Sequence, residues 1–309
     1  MPPLGKVAKL CHMGVMIMSL GLALAAASAN PSVAEQLRAL QAQDQRVANI
    51  AYQLATRNAA SCKKRRAWSG FVIHEPGQYA PNARVAAETV FGFSGHPAVL
   101  ALVPGSPAAL AGLKQDDLIL AINGITLTAA NAGKASYSNV ASIKERLASE
   151  IEKGAITILT SNGPRTIGSE PGCISDVEIV PGRKLNAHAD GEIAQLSSAV
   201  VNEAADDDEL AFVIAHELAH NILEHPQQLS KGKRGAGRIL QTEVEADRMA
   251  LSLMKRAGFD PTAAARFWAR FGAKTGHGIF SDGTHMRTKQ RVAFLQQVAA
   301  SLTGGSGSQ

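Results

Sequence analysis

Two histidines four residues apart, with a glutamate beside the first, stand in the run Ala215-His216-Glu217-Leu218-Ala219-His220. This HExxH spacing suits hydrolytic zinc chemistry: on an α-helix the i and i+4 imidazoles lie one above the other and meet one cation, while the carboxylate flanks its open position. Five residues are a weak signal alone, so a third ligand must come from elsewhere. Glu243 and Glu245 compete for that role. Helical spacing puts Glu243, Asp247, Ala250 and Met254 on one stripe, and Glu245, Arg248, Ser252 and Lys255 on a second that is polar throughout. Glu245 is therefore expected to face water or to close a capping box with Thr242. Glu243 is the expected ligand, and Asp247, one turn on, is placed to accept a proton from a liganding imidazole.

The elements that must position these groups are legible nearby. Asp206, Asp207 and Asp208 offer a cap and favourable first-turn charges. Leu210, Phe212, Val213, Ile214, Leu218, Ile222 and Leu223 surround the motif with apolar side chains, and Pro226 stops the helix. A helix apolar on nearly every side is buried. The second helix is expected from about Glu243 to Gly258, and Gln227 to Leu240, rich in Gly, Lys and Arg, is expected to be a connecting loop or flap. His225 lies off the metal-facing stripe, which suits a supporting or capping role.

The motif pair resembles the gluzincin metallopeptidases of the HtpX and CAAX-prenyl-protease type, metallopeptidase family forty-eight, which share HExxH followed by ExxxD. Asn186-Ala187-His188-Ala189-Asp190-Gly191 is similar to the strand that lies along the substrate there, and Asp207 to Ala211 to the lead-in to HExxH. Thr284-His285 with Arg291 resembles the family's C-terminal His and Arg pair. The resemblance covers roughly Cys173 to Leu302. It implies that His216, His220 and Glu243 hold one zinc ion, that Glu217 is the general base, that Asp247 orients a ligand and that Arg291 braces the site through a carboxylate. For His285 it implies a catalytic place at the oxyanion or the open metal position. A surface histidine in a Gly-rich loop is the plain alternative for His285, and a solvated helix position for Arg291.

The amino terminus bears on location. Lys6 and Lys9 precede an apolar stretch from Met13 to Ala27, and Ala27-Ser28-Ala29 forms a small-residue cleavage site, so residues 1–29 read as a secretory signal, with an uncleaved membrane anchor as the alternative. Export to the periplasm or outside the cell is the expectation. No other segment is long and apolar enough to span a bilayer, a departure from family members built around transmembrane helices. Past the signal only Cys62 and Cys173 remain, expected to pair in an oxidising compartment.

The chain has 309 residues, 46% of them hydrophobic, enough for about two cores. Its formal charge of +5 falls by two, to +3, when Lys6 and Lys9 leave. Aromatic residues are only 5%, no nucleic-acid motif is present, and no nucleic-acid partner is expected. Lys63-Lys64-Arg65-Arg66 is the one dense basic run, read as a solvated loop, with peripheral contact to an anionic membrane as the alternative.

An α+β architecture is predicted: a mainly helical zincin-type peptidase domain with a small β-rich PDZ-like domain inserted before it. Residues 30–90 are expected to be a helical segment packed on the peptidase domain, with Val33, Leu37, Leu40, Val47, Ile50 and Leu54 recurring at helical intervals. Residues 91–170 resemble a PDZ domain of the bacterial protease type. The resemblance rests on Val99 to Val103, Pro104-Gly105-Ser106-Pro107-Ala108, Ala111-Gly112-Leu113 and Asp116 to Gly124, followed by a helix from Val140 to Lys153. Phe91-Gly92-Phe93-Ser94-Gly95 is the candidate carboxylate loop, or else an ordinary turn. Residues 171–303 form the expected peptidase domain, and 304–309 a disordered tail. The function expected is a zinc-dependent endopeptidase acting on proteins or peptides in envelope quality control. The competing reading is a peptide-binding or chaperone-like module with a structural metal site, against which Glu217 argues, since closed coordination needs no base.

Overall fold

The computed structural model describes residues 31–130, 133–231, 235–275 and 286–303. The expected signal, the tail and His285 lie outside them. The described chain opens with α1 (Val33–Arg57), started by a capping box in which Ser32 and Glu35 satisfy each other's backbone N–H. One face of α1 buries Val47, Ile50, Ala51 and Leu54 in the main hydrophobic core. A polar face bonds the backbone of a neighbouring strand through Gln41 and Gln45, which blunts an otherwise open sheet edge.

Next come β1 (Arg65–Trp68), β2 (Phe71–His74), α2 (Pro81–Phe91), β3 (Ala98–Leu102), α3 (Pro107–Leu110), β4 (Ile119–Ile122) and β5 (Ile125–Thr126). They are followed by α4 (Ser138–Ile151), β6 (Ile156–Thr160), β7 (Gly163–Ile167) and β8 (Glu170–Cys173). Strand order is β5-β4-β6-β7 in one sheet, β2 pairs with β3 and β1 with β8, all antiparallel. Asn123 and Gly124, at φ of 49° and 79°, make the tight β4–β5 turn, a backbone conformation that asparagine tolerates and that glycine, lacking Cβ, adopts freely. Ile73, Val99, Leu113, Ile119, Ile122, Val140, Ile143, Ile156, Ile158 and Ile167 form this unit's own core.

Two expectations are corrected here. The unit does not begin at residue 91: Phe71 and Ile73 of β2 belong to its core, and the strands β1 and β2 interrupt the segment expected to be helical up to residue 90. Phe91 to Gly95 is a turn closing α2, not an anion loop. Gly92 takes the left-handed cap position and Phe93 is fully buried against Phe91, His74 and Tyr79.

The remaining elements are β9 (Asp176–Val180), β10 (Ala187–Ala189), β11 (Ile193–Ser197), α5 (Ser198–Glu203), α6 (Asp207–Ile222), α7 (His225–Lys231), α8 (Ala236–Ala257), α9 (Ala263–Thr275) and α10 (Thr288–Thr303). The sheet runs β10-β11-β9, with β11 parallel to β9 and β10 antiparallel at the edge. Helices α6, α8, α9 and α10 pack around Phe212, Leu218, Ala246, Leu253, Phe267 and Leu295, a core that buries α6 as its sequence requires. Most of the stretch expected to connect α6 and α8 is helical: α7 holds residues up to Lys231, and α8 starts at Ala236, seven residues before Glu243. Thr242 therefore sits inside α8 and cannot cap it. No helix among the described residues is long and apolar enough to cross a membrane.

Candidate metal centre

Asp206 caps α6 by accepting the Glu209 N–H, and three acidic residues occupy the first turn, where the helix dipole favours them. Two turns on, His216 and His220 project from one face toward α8. The buried stripe of α8 is Thr242, Glu243, Ala246, Asp247, Ala250 and Met254, the periodicity that presents Glu243 to the histidines. Glu245 is exposed, as its stripe requires.

The donor atoms converge. His216 Nε2 and His220 Nε2 are 3.1 Å apart, and Glu243 lies 3.3 Å from the first through Oε2 and 3.4 Å from the second through Oε1. A tetrahedral zinc with bonds near 2.0–2.1 Å has ligand atoms roughly 3.3 Å from one another, and each imidazole stands about that far from a Glu243 oxygen, Oε2 for His216 and Oε1 for His220. The His, His, Glu set is also the donor chemistry of an open catalytic position. The residues therefore fit a divalent cation.

The surroundings support that fit. Asp247, fully buried, reaches His216 Nδ1 at 3.0 Å and takes two bonds from Arg291, Nε at 2.8 Å and one terminal nitrogen at 2.6 Å. Arg291 is itself buried, with its guanidinium 4.0 Å over the Trp268 ring, so it does not occupy a solvated helix position. Burial alone would push the Asp247 carboxyl up, but Arg291 and His216 outweigh it and hold it below the ordinary range. For His216, burial opposes charge, yet Asp247 and Glu243 win and raise it to about 9 in the metal-free protein. Burial, with His216 adding, lowers His220 to about 3.

Glu217 is buried and its Oε1 has no hydrogen-bond partner. Burial raises its carboxyl to about 7, with Glu243 adding and His216 and Arg291 opposing. A carboxyl balanced there can both accept and return a proton near neutrality.

Asn221 makes two contacts that its place in the sequence does not announce. Asn221, next to His220, donates to Ser175 Oγ at 2.8 Å and accepts the Gly191 N–H at 2.7 Å, tying the β10–β11 hairpin to α6. His225 lies 3.0 Å from His220 through their Nδ1 atoms. The Cys62–Cys173 disulfide is formed and packs against Ile222 at the end of α6.

Residues 171–237 match the model of peptidase family M48, and residues 99–139 match that of the PDZ domain. The chain holds an M48 peptidase domain beside a PDZ domain. The M48 match includes His216, Glu217 and His220 and stops short of Glu243, which the fold supplies. The mitochondrial metalloendopeptidase OMA1 of Schizosaccharomyces pombe is 30% identical over 29% of this chain, and the match spans 36% of that protein. A crystal structure of the HtrA3 PDZ domain bound to a phage-derived ligand has 15% identity and covers 35% of this chain and 89% of that one. Its TM-score of 0.26 is too low to bear on the fold.

Proposed function

We propose that the chain is an exported zinc-dependent endopeptidase that cleaves proteins in envelope quality control, with its PDZ domain recruiting or restraining substrate. The observation that carries the catalytic reading is the convergence of His216, His220 and Glu243 beside the buried, unpartnered oxygen of Glu217. Zinc, when bound, supplies Lewis acidity to an attacking water and to the scissile carbonyl. Glu217 takes the water's proton and delivers it to the leaving amide nitrogen, the two steps a carboxyl near neutral pKa performs with least cost. Asp247 fixes the His216 ring, and Arg291 fixes Asp247.

Substrate entry is supported by β10, an edge strand whose outer side carries no strand among the described residues, so an extended peptide can add to it. The PDZ unit offers a similar place at β2, which among the described residues has a strand partner on one side only, with Val140 and Ile143 of α4 in the same core. Export is supported by the disulfide, which persists in oxidising compartments, and by the signal-like residues 1–29.

The test is Glu217→Gln in the full chain. The variant should bind zinc stoichiometrically and melt as wild type, and lose cleavage of a fluorescent unfolded protein by at least a hundredfold. Undiminished cleavage would remove Glu217 from the chemistry.

A further inference from the structure

The two liganding rings are backed differently on the nitrogens that point away from Glu243. His216 meets a buried carboxylate directly. His220 meets a second imidazole, since its Nδ1 lies 3.0 Å from Nδ1 of His225. His225 Nε2 in turn lies 3.3 Å from Oε2 of Glu245. His225 is fully buried and begins α7 after a turn in which Glu224 adopts φ of 59°. Glu245 stands at the surface, its side chain 45% exposed, with Gln241 donating to its other oxygen at 2.9 Å.

Resting on the zinc reading, we propose that His225 and Glu245 are positioning residues that fix the ring and tautomer of His220, a relay from a surface carboxylate to a half-buried ligand. Proton counting carries it. A neutral imidazole has one N–H and one lone pair. With the lone pair of His220 Nε2 committed to a cation beside Glu243, its proton must sit on Nδ1. Two Nδ1 atoms at this distance bond only when one donates and the other accepts, so His225 Nδ1 is the acceptor. The His225 proton is then on Nε2, facing the carboxylate that can take it.

Every group has one assignment, and the chain also reads inward. The anionic Glu245 selects Nε2–H on His225, His225 then selects Nδ1–H on His220, and Nε2 is left open for metal. Glu243 and Glu245, two residues apart on α8, so act on opposite sides of the same ring. The exposed glutamate is not merely a solvated position.

The experiment uses the full-length protein. Long-range nitrogen–proton spectra of the zinc-loaded form should place the His220 proton on Nδ1 and the His225 proton on Nε2. Zinc Kd, measured by chelator competition, should rise about ten- to a hundredfold in His225→Phe. His225→Asn, whose amide oxygen stands near the position of Nδ1, should recover most of that loss. Glu245→Ala, at a surface site that tolerates truncation, should weaken zinc severalfold without moving the melting temperature of the metal-free protein, and Glu245→Gln should do so less. Wild-type zinc affinity in both His225→Phe and Glu245→Ala, or a His225 proton on Nδ1, overturns the relay alone. Failure of the wild type to bind zinc, or binding unchanged by Glu243→Ala, overturns the hydrolase reading and the relay with it.

Discussion

The Arg291–Asp247 pair should behave as a buried ion pair that supports both the fold and the metal centre, and a double-mutant cycle on the metal-free protein measures it. Both side chains are almost fully buried, the pair is bidentate, and the guanidinium also stacks on Trp268. Arg291→Met leaves the Asp247 carboxylate in the interior with, among the described residues, His216 to answer it, a loss of about 3–5 kcal/mol. Asp247→Asn strands the guanidinium against a neutral amide and should cost about 2–4 kcal/mol by the same reasoning. The double variant contains neither charge, so it should lose much less than the sum, with a coupling of about 2–3 kcal/mol. Urea unfolding followed by tryptophan emission is the assay, because Trp268 reports directly on the arginine. Additive effects below about 1 kcal/mol each would mean that water screens the pair as it does at a surface, and the bracing of His216 through Asp247 would lose its basis.

Acid stability should depend on Glu209. Burial pushes this carboxyl up, but Arg270 and the Ala205 N–H outweigh it and hold it below its usual 4.5. The stabilisation is therefore present above about pH 4.5 and lost as pH falls through the folded value, and Glu209→Gln should flatten the urea-midpoint profile between about pH 5 and 3; an unchanged slope would refute this. The disulfide closes a loop between residues 111 apart, so replacing both cysteines by alanine should lower stability by about 3–5 kcal/mol in calorimetry or urea titration. Asn221→Ala leaves the Gly191 N–H without its acceptor, at about 1–3 kcal/mol, and should speed hydrogen exchange at that amide while α6 stays protected.

What the sequence disclosed was local. His216 and His220 are legible because one helix alone sets their separation, and Glu243 because the α8 stripe is amphipathic. Arg291 was ambiguous because nothing in Thr288–Thr303 distinguishes a buried arginine from a solvated one; its burial follows from α9 and α10 closing over Asp247. The strand β2 is not legible in sequence, because α2 separates it from its partner β3 and four residues give too short an alternation to register. Glycine and basic residues before Glu243 read as a connector in sequence, where the fold extends α8 back to Ala236. Asn221 and the His225–Glu245 contact required tertiary knowledge, since each joins elements that only packing brings together.

The basic run acquires a different meaning from its position. Lys63 to Arg66 lies at the neck of the inserted β-rich unit, where the chain enters after Cys62 and leaves at Cys173, with the two cysteine Cα atoms 5.4 Å apart. Arg66 pairs with Asp176 and covers the Trp68 ring, while Lys64 pairs with Glu224 in the turn between α6 and α7. Exposed pairs of this kind contribute little stability singly. Their arrangement matters more: the disulfide rests on Ile222, two residues past His220, and Ser175, two past Cys173, holds Asn221. The neck therefore joins the inserted unit directly to the end of the helix that carries His216 and His220, alongside the contacts that Gln41 and Gln45 of α1 make with β3 and that Lys144 makes with Glu178.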